Sequence, residues 1–145
     1  MNTITFRLAT AADAKLLWLW RNAPLTRQSS LSSEEISWKN HSAWFAKNIH
    51  NPKRKIYIAN ISDEDIGTAR SDLLEDGSFE LSWTVAPNAR GKGFGGMMLV
   101  DFANIIIGKK IAKIKSDNIP SQKMAIKAGF KKQSNADQCE IWLKE

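Results

Sequence analysis

The chain has 145 residues, 43% hydrophobic and 25% charged, the size and balance of one soluble domain over 1–145 with its own core. No apolar run approaches the roughly 18 residues that cross a bilayer, and MNTITFRLAT lacks the basic and apolar regions of a signal peptide, so the expectation is a cytoplasmic chain with no membrane contact. Lysine and arginine number 21 against 15 acidic residues, which favours anionic partners; the positive residues are spread out rather than gathered in a nucleic-acid-binding tract, and a phosphorylated small molecule or cofactor explains the excess equally well.

Thr3 to Leu8 alternates like a strand. Thr10-Ala11-Ala12-Asp13 then places a hydroxyl and a carboxylate at capping-box spacing. The helix it opens carries Leu16, Leu17, Leu19 and Trp20 and should stop near Pro24. Leu25 to Glu35 is polar and serine-rich and reads as a loop. Ser37 can cap a second helix running through Ile49, with Trp38, Phe45 and Ile49 near one face. Trp20, Trp38 and Phe45 are the expected core residues of this half.

After Pro52 the pattern turns to strands: Lys55–Ala59, Ile66–Ser71 and Ser78–Val85, the last two joined by the turn residues Glu75-Asp76-Gly77. An apolar helix follows over Phe94–Ile107, then a strand over Ile111–Ser116. Pro120 suits the first turn of a short helix that closes at Gly129, and Phe130–Gln133 with Gln138–Lys144 reads as a closing hairpin. Cys139 falls in that alternating stretch and reads as a packed strand residue; alone it can form no intrachain disulfide, and with two histidines it argues against a zinc site. The order β-α-α-β-β-β-α-β-α-β-β predicts an α/β or α+β domain, a mixed sheet covered by helices.

Four of the eight glycines fall within Gly91, Gly93, Gly95 and Gly96, between a strand and an apolar helix. Such a loop brings backbone N–H groups and the positive end of a helix dipole, roughly half an elementary charge, to one spot suited to a pyrophosphate. Arg90 and Lys92 add counter-charge. Gly-Lys is followed by Gly93 rather than the Ser or Thr of a Walker loop. The G-x-G-x-x-G spacing of a dinucleotide loop is met, but after a meander instead of a first parallel strand.

The segment Arg90-Gly91-Lys92-Gly93-Phe94-Gly95 resembles the acetyl-CoA loop of the GCN5-related N-acetyltransferase (GNAT) superfamily, with Val85-Ala86-Pro87 before it. Asn118-Ile119-Pro120-Ser121 and the ending Ala128-Gly129-Phe130 resemble that superfamily's later segment, so the resemblance covers residues 3–143. It implies a mostly antiparallel central sheet with helices on both faces and acetyl-CoA as co-substrate, with no metal. The resemblance further implies that the strand before the loop splays from the next parallel strand, and that pantetheine pairs with the Thr84-Val85-Ala86 backbone. One N–H there would polarise the thioester carbonyl. Asn118 and Ser121 would join Thr84, Val85 and the loop (Arg90, Gly91, Lys92, Gly93, Phe94, Gly95 and Gly96) at the cofactor. Glu80 is the candidate base for the acceptor amine, with Ser82 two residues on as a water relay. Where many relatives carry a tyrosine as general acid, this chain has Ala125, so no general acid is assigned.

The series Trp20-Arg21-Asn22, Arg27, Ser29-Ser30, Ile36, His41 and Trp44-Phe45 resembles acetyltransferases of nucleotide-linked dideoxy amino sugars in the pseudaminic and legionaminic acid pathways. It implies an acceptor site in which Arg21 and Arg27 clamp a diphosphate, Asn22 and Ser29 bind sugar hydroxyls, His41 lies alongside, and Trp44 or Trp20 stacks. An acetyltransferase for a protein N-terminus or small amine is the second reading and predicts an open, acidic cleft. A non-enzymatic CoA-binding module is the third. A homodimer stays open.

Overall fold

The computed structural model describes residues 3–145. Its elements are β1 (Thr5–Leu8), α1 (Ala14–Asn22), α2 (Pro24–Ser29), α3 (Trp38–Asn48), β2 (Arg54–Ile61), β3 (Glu64–Leu73), β4 (Phe79–Val85), α4 (Phe94–Ile105), β5 (Lys110–Lys115), α5 (Ile119–Lys127), β6 (Lys131–Ala136) and β7 (Cys139–Lys144). The strands form one sheet in the order β1-β2-β3-β4-β5-β7-β6. All neighbours in it are antiparallel except β4 and β5. This is the mixed, mostly antiparallel architecture expected. One core joins Leu17, Trp20 and Phe45 of α1 and α3 to Ile56 and Ile58 of β2. A second joins Leu99 and Phe102 of α4 and Ala125 of α5 to Leu81, Ala112 and Trp142 of the sheet.

The capping residues act as their spacing suggests, with one addition. The Thr10 N–H donates to Asp13 Oδ2 at 2.8 Å, and a single 3-10 turn over Ala11–Asp13 precedes α1. Arg7 of β1 grips the same carboxylate with both Nη atoms, at 2.8 and 2.9 Å. This fork ties the first helix to the first strand. The hydrogen bond from Arg7, aided by the Thr10 N–H, holds the Asp13 carboxyl below the usual carboxylate range despite its burial. A depressed folded-state pKa means stability that is present above the unfolded pKa, near pH 4, and lost as pH falls through the folded value. Asp13→Asn is therefore expected to cost about 1–2 kcal/mol at pH 7 and less at about pH 3, below the unfolded pKa. Urea unfolding at the two pH values reads the difference; an equal loss at both would refute the charge-linked part.

Two local expectations change. Residues 25–35 are not all loop, because Pro24 starts α2 at its first position, where its fixed φ fits and its missing N–H costs nothing. Ala23, forced extended by the proline after it, makes the break from α1 with ψ 136°. Trp38 is not core. It is 43% exposed and packs edge-on against Trp18, ring centroids 5.5 Å apart. Trp20 and Phe45 are buried as expected. Smaller differences are that α4 ends at Ile105 rather than Ile107 and that β6 extends to Ala136.

Candidate active site

β4 and β5 share only the register pairs Phe79↔Lys110 and Glu80↔Ile111. Beyond Glu80 the strands part, as the splay implied by the resemblance requires. On its other edge β4 stays paired with β3 through Val85. The Phe79 N–H bonds the Lys109 carbonyl on the β5 side, whereas the Ala86 N–H bonds the Ile66 carbonyl on the β3 side. Backbone groups alternate sides along a strand, so the N–H groups of Leu81, Trp83 and Val85 face the β5 side; that of Leu81 still belongs to the last β4–β5 pair, which leaves those of Trp83 and Val85 pointing into the gap. Thr84 N–H belongs to the β3 ladder by the same count. A cavity of about 780 Å³ fills the gap. One wall is Glu80 to Val85 of β4, the facing wall Lys113 to Lys115 of β5 with Asn118 and Ser121, and the third wall comes from α1–α3.

At one end of the cavity lies Arg90, where the glycine loop begins; residues 91–96 are not part of the lining. Gly91 and Gly93 adopt φ of 80° and 79°, the left-handed region that glycine enters without strain, and Gly93 sits immediately before α4. Gly91, Lys92 and Gly93 are exposed. Gly95 and Gly96 are buried, and Gly95 serves a packing purpose. A Cβ on Gly95 would lie 2.6 Å from Met124 Cε and 3.2 Å from Val85 Cγ2, so this glycine lets α4 approach α5 and β4. Phe94 packs into the first core. Arg90 lines the cavity and donates from Nη2 to Thr26 Oγ1 of α2 at 2.8 Å. Lys115 of β5 donates to the Gln28 carbonyl at 3.0 Å. These two bonds strap α2 across the mouth of the gap. Asn118 caps α5 by accepting the Ser121 N–H at 3.2 Å. The unpaired N–H groups, the two left-handed glycines and the start of α4 suit an extended pantetheine ending in a pyrophosphate.

At the other end, Glu80 and Ser82 lie on one face of β4, register partners of Asp72 and Arg70. Glu80 Oε1 is 3.5 Å from Lys113 Nζ across the closing gap. Arg21, Ser29, His41 and Trp44 complete this chamber. His41 is 7% exposed, and its Nε2 lies 2.9 Å from the Ala14 carbonyl, joining α3 to α1. Burial pushes its pKa below the ordinary histidine value, so the ring is neutral near pH 7. Two expected acceptor residues are placed elsewhere. Asn22 spends both ends of its amide on Ile36, donating to its carbonyl at 2.7 Å and accepting its N–H at 2.8 Å. It shapes the wall instead of facing the cavity. Arg27 turns toward Glu35, 4.0 Å away, and is not among the cavity's lining. Ala125 carries only a methyl group, fully buried in the second core, so that position offers no proton donor to the gap.

Arg70, Lys113 and Thr26 were not anticipated. Arg70 had a faint signal, as the one charged residue in the stretch Ile66–Ser71 read as a strand; the other two had none.

The chain matches the family described as "Acetyltransferase (GNAT) domain" over residues 3–131. It belongs to that family and is an N-acetyltransferase with acetyl-CoA as co-substrate. Solved structures share its fold at low identity. Aminoglycoside acetyltransferase AAC(6')-Ib in complex with ribostamycin and coenzyme A is 19% identical, with a TM-score of 0.86 over 97% of this chain and 92% of that one. The spermidine N-acetyltransferase from Vibrio cholerae in complex with CoA and spermine is 16% identical, TM-score 0.82, over 97% and 92%. A domain from Methanocaldococcus jannaschii is 24% identical, TM-score 0.80, over 99% of each chain. No curated protein gives a significant match.

Proposed function

We propose that the chain acetylates the primary amine of a nucleotide-linked amino sugar by direct attack on the thioester. The observation that carries the reading is one continuous cavity, running from Arg90, at the start of the glycine loop, past the free β4 edge to Glu80, Arg70 and Trp44. Acetyl-CoA would enter from the loop, with Arg90, Lys92 and the N–H groups near Gly93 to Gly96 at its pyrophosphate. The Trp83 or Val85 N–H would donate to the thioester oxygen, a contribution of about 3–4 kcal/mol as negative charge develops there. The amine nitrogen bonds to the carbonyl carbon, the C–S bond breaks, and CoA leaves as thiolate. Glu80 takes the amine proton directly or through water held by Ser82.

Arg21 and the flat face of Trp44 support a sugar carrying a diphosphate. The peptide reading asks for an acidic cleft, and the side chains around this chamber are mostly basic. The aminoglycosides and spermidine of the structural neighbours are polyamines, which such a wall would repel. Turnover of acetyl-CoA with UDP-linked 4-amino sugars, followed by thiol release and mass of the N-acetyl product, tests the reading. No release across a panel of such sugars would sink it. In the same assay Glu80→Gln should lower kcat about 100- to 1000-fold and leave the acetyl-CoA Kd unchanged. A variant with full kcat would remove Glu80 from the proton path.

A further inference from the structure

The chamber beside Glu80 has more cationic groups than its carboxylates can neutralise. Arg21, Arg70 and Lys113 line it, and Arg27 and Arg54 stand behind. The carboxylates in reach are Glu80, Asp72 and Glu35, and each is engaged. Glu80 faces Lys113 at 3.5 Å. Asp72 takes the Arg54 fork, with Nε at 2.7 Å and Nη2 at 3.3 Å. Glu35 is a loose, exposed partner of Arg27. What remains for Arg70 is Asp72 Oδ2 at 3.4 Å, without hydrogen-bond geometry at its buried Nε. Arg21 gives Nη2 to the Ser32 carbonyl at 2.9 Å, while its Nη1 is buried with no hydrogen-bond partner among the described residues.

Buried guanidinium N–H groups without acceptors are expensive, and two cations so placed repel each other. Both features are visible in Arg21: burial first, then Arg27 and Arg70, lower its pKa. Burial likewise lowers that of Arg70. Such an arrangement is sustained when a ligand supplies the missing negative charge. Arg54 and Arg70 also stand 5.6 and 5.9 Å from the Trp44 ring centroid, which holds the guanidiniums over the ring.

We infer that Arg21 and Arg70 form an anion-binding subsite on the acceptor side of the cavity, and that the amine acetylated there carries a phosphate or carboxylate group. This rests on amine acetylation occurring in this cavity and deepens that reading; it does not require a nucleotide. The subsite lies away from the loop assigned to CoA, since Arg70 pairs in register with Ser82, near the closed end of the β4–β5 gap.

The test has a binding arm and a kinetic arm. Protein saturated with CoA, so that the loop is filled, is titrated with inorganic pyrophosphate and separately with acetate. Binding is expected for pyrophosphate, and Arg70→Gln and Arg21→Gln should each weaken it about 10- to 100-fold, with Arg70→Lys in between. Thermal melts confirm that the variants fold. Loss of no affinity in any folded variant, or no pyrophosphate binding by the parent, overturns the inference. In the kinetic arm, acetyl transfer is compared for amino-sugar phosphates, amino acids and a polyamine at equal concentration. The expected pattern is preference for one anionic class, with Arg70→Gln raising its KM about 10- to 100-fold and leaving the acetyl-CoA KM in place. Preference for phosphates or for carboxylates identifies which anion is bound. Failure of nucleotide sugars beside Arg70-dependent use of another anionic amine would end the nucleotide-sugar reading and keep the subsite. Equal use of the polyamine would end the subsite.

Discussion

Gly93→Asp should fold and yet bind acetyl-CoA about 30- to 1000-fold more weakly. Gly93 has φ 79° and immediately precedes α4, with open space where a Cβ would stand. Aspartate enters the left-handed region at lower cost than most residues, so the backbone strain is about 1 kcal/mol. Its carboxylate meets the positive end of α4, an interaction that offsets part of that strain. The same position defeats the ligand, because the side chain occupies the pyrophosphate's place with like charge. At about 4 Å and an effective dielectric near 20 each charge pair costs about 4 kcal/mol, which salt and solvent reduce to about 2–4 for the whole contact. Isothermal titration with acetyl-CoA, beside thermal melts, separates binding from folding. A folded variant with parental affinity would remove the loop from the cofactor site. Gly93→Ala provides the neutral comparison: somewhat more strain, no added charge, and a much smaller loss of affinity.

Much of this site was legible because its parts are local. A strand, two left-handed glycines and an apolar helix occupy one stretch from Phe79 to Ile105. Asn118 and Pro120 carry their capping roles within three residues. What escaped the sequence depends on partners far along the chain. Arg70 becomes a cavity residue only because the β3–β4 register sets it opposite Ser82. Asn22 bonds Ile36 fourteen residues away, through a loop with no periodicity to reveal it. The six residues of α2 are too few for a hydrophobic period, and tertiary bonds from Arg90 and Lys115 help hold them in place. The glycines of the loop share one composition signal but two settings, left-handed backbone with open space at Gly91 and Gly93 and helix packing at Gly95. Only the neighbours of each glycine distinguish them.

Gly67→Ala is expected to damage both stability and acetyl-CoA binding, although Gly67 touches no ligand. It is buried in β3 opposite Val85. A Cβ there would run into the Thr84 carbonyl oxygen, and would stand 2.8 Å from Met98 Cε and 3.0 Å from Sδ. The thioether of Met98 is flexible and can swing aside. The Thr84 carbonyl is backbone and can retreat only if β4 moves away from β3. That movement strains the ladder and costs about 2–3 kcal/mol, in the upper range for one added methyl. It also shifts the strand that aims the Trp83 and Val85 N–H groups into the gap, so acetyl-CoA affinity should fall about 10-fold or more for a displacement near 1 Å. Gly77→Ala is the matched control. Gly77 has φ 87° in the β3–β4 turn and open space around it, so alanine there costs about 1 kcal/mol of strain and displaces nothing. Urea unfolding and acetyl-CoA titration on both variants should therefore give two different pairs of losses: stability and affinity together for Gly67, stability alone for Gly77. If Gly67→Ala lost stability but kept parental affinity, the β4 backbone would not be the surface on which the thioester is held.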